Sequence, residues 1–311
     1  MTADSPGADL DELLTEAVAD RDLALDELTV GELVTLMNER DATIPGAVRA
    51  AIPSITAAIE ATATRIRQGG RLIYVGAGTS GRLGILDAAE VPPTFGTDGD
   101  LVIGLIAGGP PAITTPVEYA EDSAEAGAAD LAVLEPGPLD TVVGIASSGT
   151  TPYVLGALGL AAERGALTVG LSCNVGTPLS AAAHHGIEIA VGPEVVTGST
   201  RLGAGTATKM VLNMFSTISM VQLGKTYRTL MVDVKATNAK LMRRAIRIVV
   251  LATGADEETA RAALDATGWH AKLAIAVIAT GMSVPDARAA LDAAGGVLRK
   301  VIEPTIGTGG R

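Results

Sequence analysis

Along the middle of the chain, short runs of β-branched and aliphatic residues alternate with alanine-rich stretches whose apolar positions recur at helical spacing. The runs are Leu72–Val75, Leu101–Ile106, Thr141–Ile145, Leu167–Leu171 and Ile187–Val191. Each has strand length, and strands alternating with helical stretches predict an α/β fold with a five-stranded parallel sheet flanked by helices. Before them, the segment from Leu10 to about Arg67 reads as helices. It carries acids in early turns, breaks near Thr29 and Pro45, and a long alanine-rich stretch from Ile52. Beyond about Arg244, segments from Glu257, Lys272 and Pro285 read as short amphipathic helices separated by Gly254, Gly268 and Gly281, with Gly295 and Gly296 interrupting a last one. The division expected is an N-terminal helical arm over residues 1–51, a sheet domain over 52–244 and a small helical domain over 245–311.

Composition narrows this picture. Of 311 residues 48% are hydrophobic but only 2% aromatic, so the core must be built from Ala, Val, Leu and Ile, which suits a parallel sheet under helices. A net charge of -12 argues against binding a polyanion through the overall field, and no nucleic-acid partner is expected. The single cysteine, Cys173, excludes an internal disulfide. The N-terminal stretch carries acids where a secretory signal needs a basic start and an apolar middle, so a cytoplasmic protein is expected. The longest nearly uncharged apolar stretch, Met210–Leu223, falls short of the roughly 20 residues that span a bilayer. No membrane is expected as a partner, and the stretch reads as a buried or interface helix.

The richest chemistry lies between Leu72 and Gly96. Directly after the first strand, Gly76, Gly78 and Gly81 with Thr79 and Ser80 offer backbone N–H groups and hydroxyls at a helix start, a natural seat for phosphate. The pattern recurs: Gly144, near the end of the third run, is followed by Ser148 and Gly149 at the same internal spacing, so two similar loops can share one ligand. The spacing Gly76-x-Gly78-x-x-Gly81 matches a dinucleotide fingerprint, but the next strand ends in Ala107-Gly108-Gly109, without the acid that would hold a ribose hydroxyl. Arg82 and Leu83 stand where a P-loop needs Lys and Ser or Thr. The histidines are His184, His185 and His270, and two adjacent residues on a regular element do not aim at one ion, so no metal and no cofactor are expected. No nucleophile elbow is present, and Cys173 reads as a buried thiol. What remains are carboxylates: Glu90, expected near a helix end before Pro92 and Pro93, and Glu118, Glu121 and Asp122, expected on the helix after Gly108-Gly109-Pro110-Pro111, where Glu118 and Glu121 would share a face.

Six ordered segments carry a resemblance: GAGTSGRLGILDAAEVPPTFG, GLIAGG, VEYAEDS, GIASSGTTPYV, GPEVVTGSTRLGAGTATKMVLNM and LMVDVKATNAKL. In order and spacing they resemble the N-acetylmuramic acid 6-phosphate etherases, a branch of the sugar-isomerase (SIS) fold related to the glucokinase regulatory protein, over nearly all of the chain. Two positions depart from the pattern: Gly203 stands where the family usually has lysine, and Val91 where cysteine is common. The first withdraws a cation, leaving Arg201 and Lys209 to supply positive charge there.

The resemblance implies an SIS-type sheet, a UBA-like C-terminal helical domain, a homodimer, and a carbon–oxygen lyase of amino-sugar recovery. In the implied reaction the sugar ring opens, a base takes the C2 proton next to the C1 aldehyde, and the C3 ether oxygen leaves as D-lactate. Water then adds to give N-acetylglucosamine 6-phosphate. Glu90 corresponds to the family's catalytic acid and Glu121 to its second active-site carboxylate, here assigned as the base; such a pair works in opposite ionisation states. Gly78, Thr79, Ser80, Gly81, Ser147, Ser148 and Thr150 are the expected phosphate grip, and Lys240, His185 and Glu194 are candidates for ring opening or substrate contact. Two other activities use the same fold: sugar-phosphate binding without turnover, and aldose–ketose isomerisation.

Overall fold

The computed structural model describes residues 13–20, 22–236 and 238–303. The helical patterning foreseen from Leu10 therefore begins outside the described residues, and those that follow are not a helix. Asp20 Oδ1 accepts from the Asp22 amide at 2.9 Å, a local turn that competes with helical bonding, and only Leu25–Glu27 winds into one 3-10 turn. Helix α1 (Val30–Asp41) starts where the Thr29 side chain accepts from the Glu32 amide while Glu32 reaches back to the Thr29 amide. Helices α2 (Ile44–Ala50) and α3 (Ile52–Arg67) follow.

Strands β1 (Leu72–Gly76), β2 (Val102–Ile106), β3 (Thr141–Ile145), β4 (Leu167–Ser172) and β5 (His185–Glu188) form one parallel sheet in the order β2-β1-β3-β4-β5. Between them run α4 (Gly78–Phe95), α5 (Ala124–Ala132), α6 (Pro152–Glu163) and α7 (Pro178–Ala182). Alternation along the strands divides the packing. Ile73, Val75 and Val142 join Val154, Ala157 and Leu158 of α6 in one apolar cluster, whereas Tyr74 turns to Gly84 of α4 on the opposite face. The last strand begins two residues earlier than its hydrophobic run. Val169 pairs with His185 and Ser172 with Glu188, and after Ile189 donates to the Ser172 carbonyl, β4 has no further partner to offer.

The next elements are α8 (Gly203–Gln222), the short antiparallel pair β6 (Thr226–Tyr227) and β7 (Leu230–Met231), and helices α9 (Ala239–Thr253), α10 (Glu257–Ala266), α11 (Ala271–Thr280), α12 (Val284–Ala293) and α13 (Leu298–Ile302). Within the apolar stretch of α8, Val211, Leu212, Phe215 and Met220 are buried while Ile218 and Val221 are exposed. No single helix among the described residues is long and apolar enough to cross a membrane. Gly254 and Gly281 close α9 and α11 in the left-handed conformation, as punctuation of the sequence suggested.

The chain divides into two compact units, Met1–Ala89 with Asp100–Ser216 and Glu90–Gly99 with Thr217–Arg311. These do not follow the sequence boundaries at residues 51 and 244. The N-terminal helices stay with the sheet, since Ile44, Val48 and Ile55 are buried and the Arg40 guanidinium donates to the carbonyls of Val191 and Pro193. Tyr227, Val232 and Val234 instead enter the apolar core of α9–α13.

Candidate active site

In the sheet order, the chain leaves β1 for β2 on one side and returns as β3 on the other. This opens a crevice at the carboxyl ends of β1 and β3. Both strand-to-helix loops arrive there side by side, because Val75 is paired with Gly144 and Gly76 with Ile145. The recurrence seen in the sequence is therefore a spatial pair. A cavity of about 250 Å³ sits at this point, lined by Ala77–Ser80 from the first loop and Ile145–Ser148 from the second, with Glu121 and Thr151.

Each loop is shaped by its glycines. A Cβ on Gly76 would lie 2.6 Å from the Gly81 amide nitrogen, and one on Gly81 would lie 2.7 Å from the Gly76 carbonyl oxygen, so α4 can start against β1 only with glycine at both. Gly81 thus packs the helix rather than lining the cavity. In the second loop Gly149 has φ +73°, and its carbonyl accepts from the Leu179 amide at 3.0 Å. The Thr150 amide and hydroxyl both meet Ser148 Oγ, at 3.2 and 3.0 Å, so Thr150 orients Ser148 from behind. Asn174 Nδ2 donates to the Ser147 carbonyl at 2.8 Å. The 18-residue α4 and the 12-residue α6 both begin at the cavity and turn their positive dipole ends to it, but the first donors of α6 are already used: Pro152 has no N–H, and the amides of Tyr153, Val154 and Leu155 donate to the carbonyls of Glu121 and Thr151.

Glu121 lines the cavity, but not from a helix. Pro110–Ile113 makes one 3-10 turn, and Tyr119 then takes φ 61°, which interrupts any helical path between Glu118 and Glu121. Helix α5 begins only after Ser123, whose hydroxyl accepts from the Ala126 amide. The Glu121 carbonyl accepts from the Tyr153 amide at 3.0 Å, tying this connection to the start of α6. Glu118 is exposed and absent from the cavity lining.

Glu90 is exposed and lies inside α4, not at its end: the helix runs through Pro92 and Pro93 to Phe95. The two prolines remove the donors that Ala88 and Ala89 carbonyls would use, yet bonding resumes as Thr94 Oγ1 donates to the Glu90 carbonyl and the Gly96 amide to that of Pro92. Glu90 belongs to the C-terminal unit, as does Lys240, exposed in the first turn of α9.

Glu194 is 2% exposed, and its two oxygens accept from the amides of Gly203 and Ala204, both at 2.9 Å. It caps the 20-residue α8, where a carboxylate is favoured by the helix dipole. A Cβ on Gly203 would sit 3.0 Å from Glu194 Oε2 and 3.2 Å from Ile44 Cδ1, so this cap is packed around the absence of a side chain at 203. His185 opens β5, and burial, the neighbouring His184 and Arg65 hold it below the usual imidazole range. Neither Glu194 nor His185 lines the cavity.

Sequence reasoning missed Thr15, Glu16, Thr151 and Thr200, all of which line the cavity. Thr200 and Thr151 lie within the segments that carry the resemblance and were legible there. Nothing local marks Thr15 and Glu16. Thr15 is 1% exposed, its hydroxyl accepting from Asn174 Nδ2 at 3.1 Å, and that same amide group also grips the Ser147 carbonyl. Asn174 therefore fastens the N-terminal segment to the second loop and brings Glu16 to the cavity as another carboxylate. Cys173, also beside this loop, is fully buried, and burial followed by the Glu194 charge pushes its thiol up to about 12. It is unsuited to act as a nucleophile.

Comparison with known proteins agrees with this architecture. The model of the glucokinase regulatory protein N-terminal SIS domain matches residues 54–162, and that of the SIS domain matches residues 112–219. The N-acetylmuramic acid 6-phosphate etherase of Streptomyces avermitilis is 58% identical over 267 residues, covering 86% of each chain. That of Rubrobacter xylanophilus is 60% identical over 265 residues, 85% of this chain and 88% of the relative. That of Streptomyces coelicolor is 53% identical over 298 residues, 96% of both. With identity at this level along almost the whole length, and paired glycine–hydroxyl loops at the switch point of an SIS sheet, this chain belongs to the N-acetylmuramic acid 6-phosphate etherase family.

Proposed function

We propose that the protein is an N-acetylmuramic acid 6-phosphate etherase, a carbon–oxygen lyase that releases D-lactate and leaves N-acetylglucosamine 6-phosphate. The observation that carries this reading beyond kinship is the placement of a carboxylate, Glu121, in one cavity with Thr79, Ser80, Ser147 and Ser148. Two helix N-termini and four hydroxyls suit a phosphate dianion, and a carboxylate beside them suits proton transfer on the sugar it anchors. In the open-chain sugar, the C2 proton is acidified by the neighbouring aldehyde. Glu121 takes it, the electron pair moves toward C3, and the C3–O bond to lactate breaks. The departing oxygen takes a proton from a general acid, the role that the resemblance gives to Glu90; water then adds at C3 and a proton returns to C2.

Holding the phosphate contributes by positioning, because binding energy far from the reacting carbons is used to align them. Losing one hydrogen bond to a charged group costs about 1.5–3 kcal/mol, so Ser148→Ala should weaken substrate binding roughly 10- to 150-fold. Removing an acid or base should cost about 10²- to 10⁴-fold in kcat. The test is release of D-lactate from N-acetylmuramate 6-phosphate by the native protein, Glu121→Gln and Glu90→Gln. Isomerised sugar without lactate, or sugar-phosphate binding without turnover, would overturn the assignment; undiminished release by either variant would remove that residue from the chemistry. We further propose a homodimer, for which the exposed Ile218 and Val221 on α8 provide an apolar contact, and a cytoplasmic location, where phosphosugars are metabolised and Cys173 stays reduced. Light scattering tests the first and cell fractionation the second.

A further inference from the structure

The C-terminal unit contains a cavity of its own, about 480 Å³, for which the reaction above has no use. Its size falls within the roughly 300–1,000 Å³ of small-molecule sites. Its lining reverses the charge of the protein: in a chain of net charge -12, the charged side chains that face it among the described residues are Lys225, Lys235, Lys272 and Arg288 against Asp233 and Asp292. That surplus of two positive charges matches a phosphate monoester, which carries about -1.5 to -2 at neutral pH.

Asp233 supplies a second, independent sign. Its side chain is 7% exposed, and Oδ2 is satisfied by Lys272 at 2.6 Å and Lys225 at 3.4 Å. Its Oδ1 is buried with no hydrogen-bond partner among the described residues. His270 Nε2 stands 4.0 Å from it, beyond hydrogen-bond reach. A buried carboxylate oxygen without a donor is costly, and a ligand hydroxyl is the kind of donor that satisfies it. His270 can add a donor of its own, because its Nδ1 accepts from the Leu273 amide at 3.2 Å and the neutral ring then carries its proton on Nε2. Among the described residues Arg288 has no carboxylate within ion-pair distance, and Lys235 donates only to the Thr97 carbonyl, at 3.1 Å.

We propose that this cavity is a second ligand site that binds a small hydroxylated phosphate ester, its phosphate taken by Arg288 and Lys235 and one of its hydroxyls by Asp233 Oδ1. The proposal is independent of the etherase reading, and the molecule provides its own probe. The only tryptophan of the chain, Trp269, lines this cavity. Tryptophan emission of the intact protein is titrated with glucose 6-phosphate, inorganic phosphate and glucose. The expected result is a saturable change with glucose 6-phosphate, a change needing about tenfold more inorganic phosphate, and none with glucose. Arg288→Ala and Lys235→Ala, both exposed positions, should each raise the midpoint at least about tenfold. The signal should survive Ser80→Ala and Ser148→Ala, and lactate release should be unaffected by Arg288→Ala. No saturable change in the native protein, a change retained in both cation variants, or one abolished by the loop variants would overturn it. Lactate release is read separately, so failure here leaves the etherase assignment standing, and the reverse also holds.

Discussion

Asp140 fastens the amino ends of two neighbouring strands, and replacing it with alanine tests how the sheet is held. Its Oδ1 accepts from the Arg71 amide at 2.8 Å and Arg71 Nε at 3.1 Å; its Oδ2 accepts from Arg71 Nη2 at 2.7 Å and the Gly137 amide at 2.9 Å. Four donors thus lose their acceptor together. Removing one partner of a buried ion pair costs about 3–5 kcal/mol, but the Arg71 side chain is 28% exposed and water can reach it. Discounting for that access, we expect about 2–4 kcal/mol. At roughly 2–4 °C per kcal/mol for a unit of this size, Tm should fall by about 4–16 °C.

The pH dependence makes this specific to the charge. Burial raises the Asp140 pKa, but the bonds from Arg71 and from the Gly137 amide outweigh it and hold the carboxyl below its ordinary value. A pKa lowered by folding contributes stability that is present above the unfolded value of about 3.9 and lost as pH falls through the folded one. The gap between native protein and Asp140→Ala, measured by urea denaturation, should therefore be constant near neutrality and narrow below about pH 4. A gap under about 0.5 kcal/mol at neutral pH, within the range of an ordinary surface substitution, would refute the argument. So would a gap that widens on acidification.

Two further changes probe the loops and the thiol. Gly149→Ala forces a side chain into φ +73° and sets its Cβ 2.4 Å from that of Thr177, which is 3% exposed and caps α7. Strain and overpacking together should cost about 2–5 kcal/mol and raise KM by displacing Ser148, whereas Gly159→Ala, with nothing within 4 Å, should be neutral or slightly stabilising by urea denaturation. Cys173, with its thiol pushed up to about 12, should resist iodoacetamide near pH 8 until the protein is unfolded, as mass spectrometry would record; ready labelling of the native protein would contradict its burial.

Strands β1, β3 and β4 and the helices closed by Gly254 and Gly281 were legible in the chain, because hydrophobic period and glycine punctuation are local properties. The phosphate loops were legible for the same reason: a glycine–hydroxyl cluster after a strand needs only its own neighbours to form a turn. Glu121 is the contrary case. Its sequence context suggested a helix shared with Glu118, but Tyr119 at φ 61° and the bond to Tyr153 place it in a connection instead. Glu194 shows the same limit: an acid in a familiar segment is committed to the amides of Gly203 and Ala204.

What the sequence by itself determined is the α/β alternation, the two glycine–hydroxyl turns and the family to which they point, since each is written in short-range spacing. Only the tertiary structure decided that the two turns lie side by side, through the pairing of β1 with β3. It alone brought Thr15 and Glu16 to them, through Asn174, and enclosed a cationic cavity among Lys225, Asp233 and Arg288. Those arrangements rest on hydrogen bonds and burial between residues far apart in the chain, which no local pattern encodes.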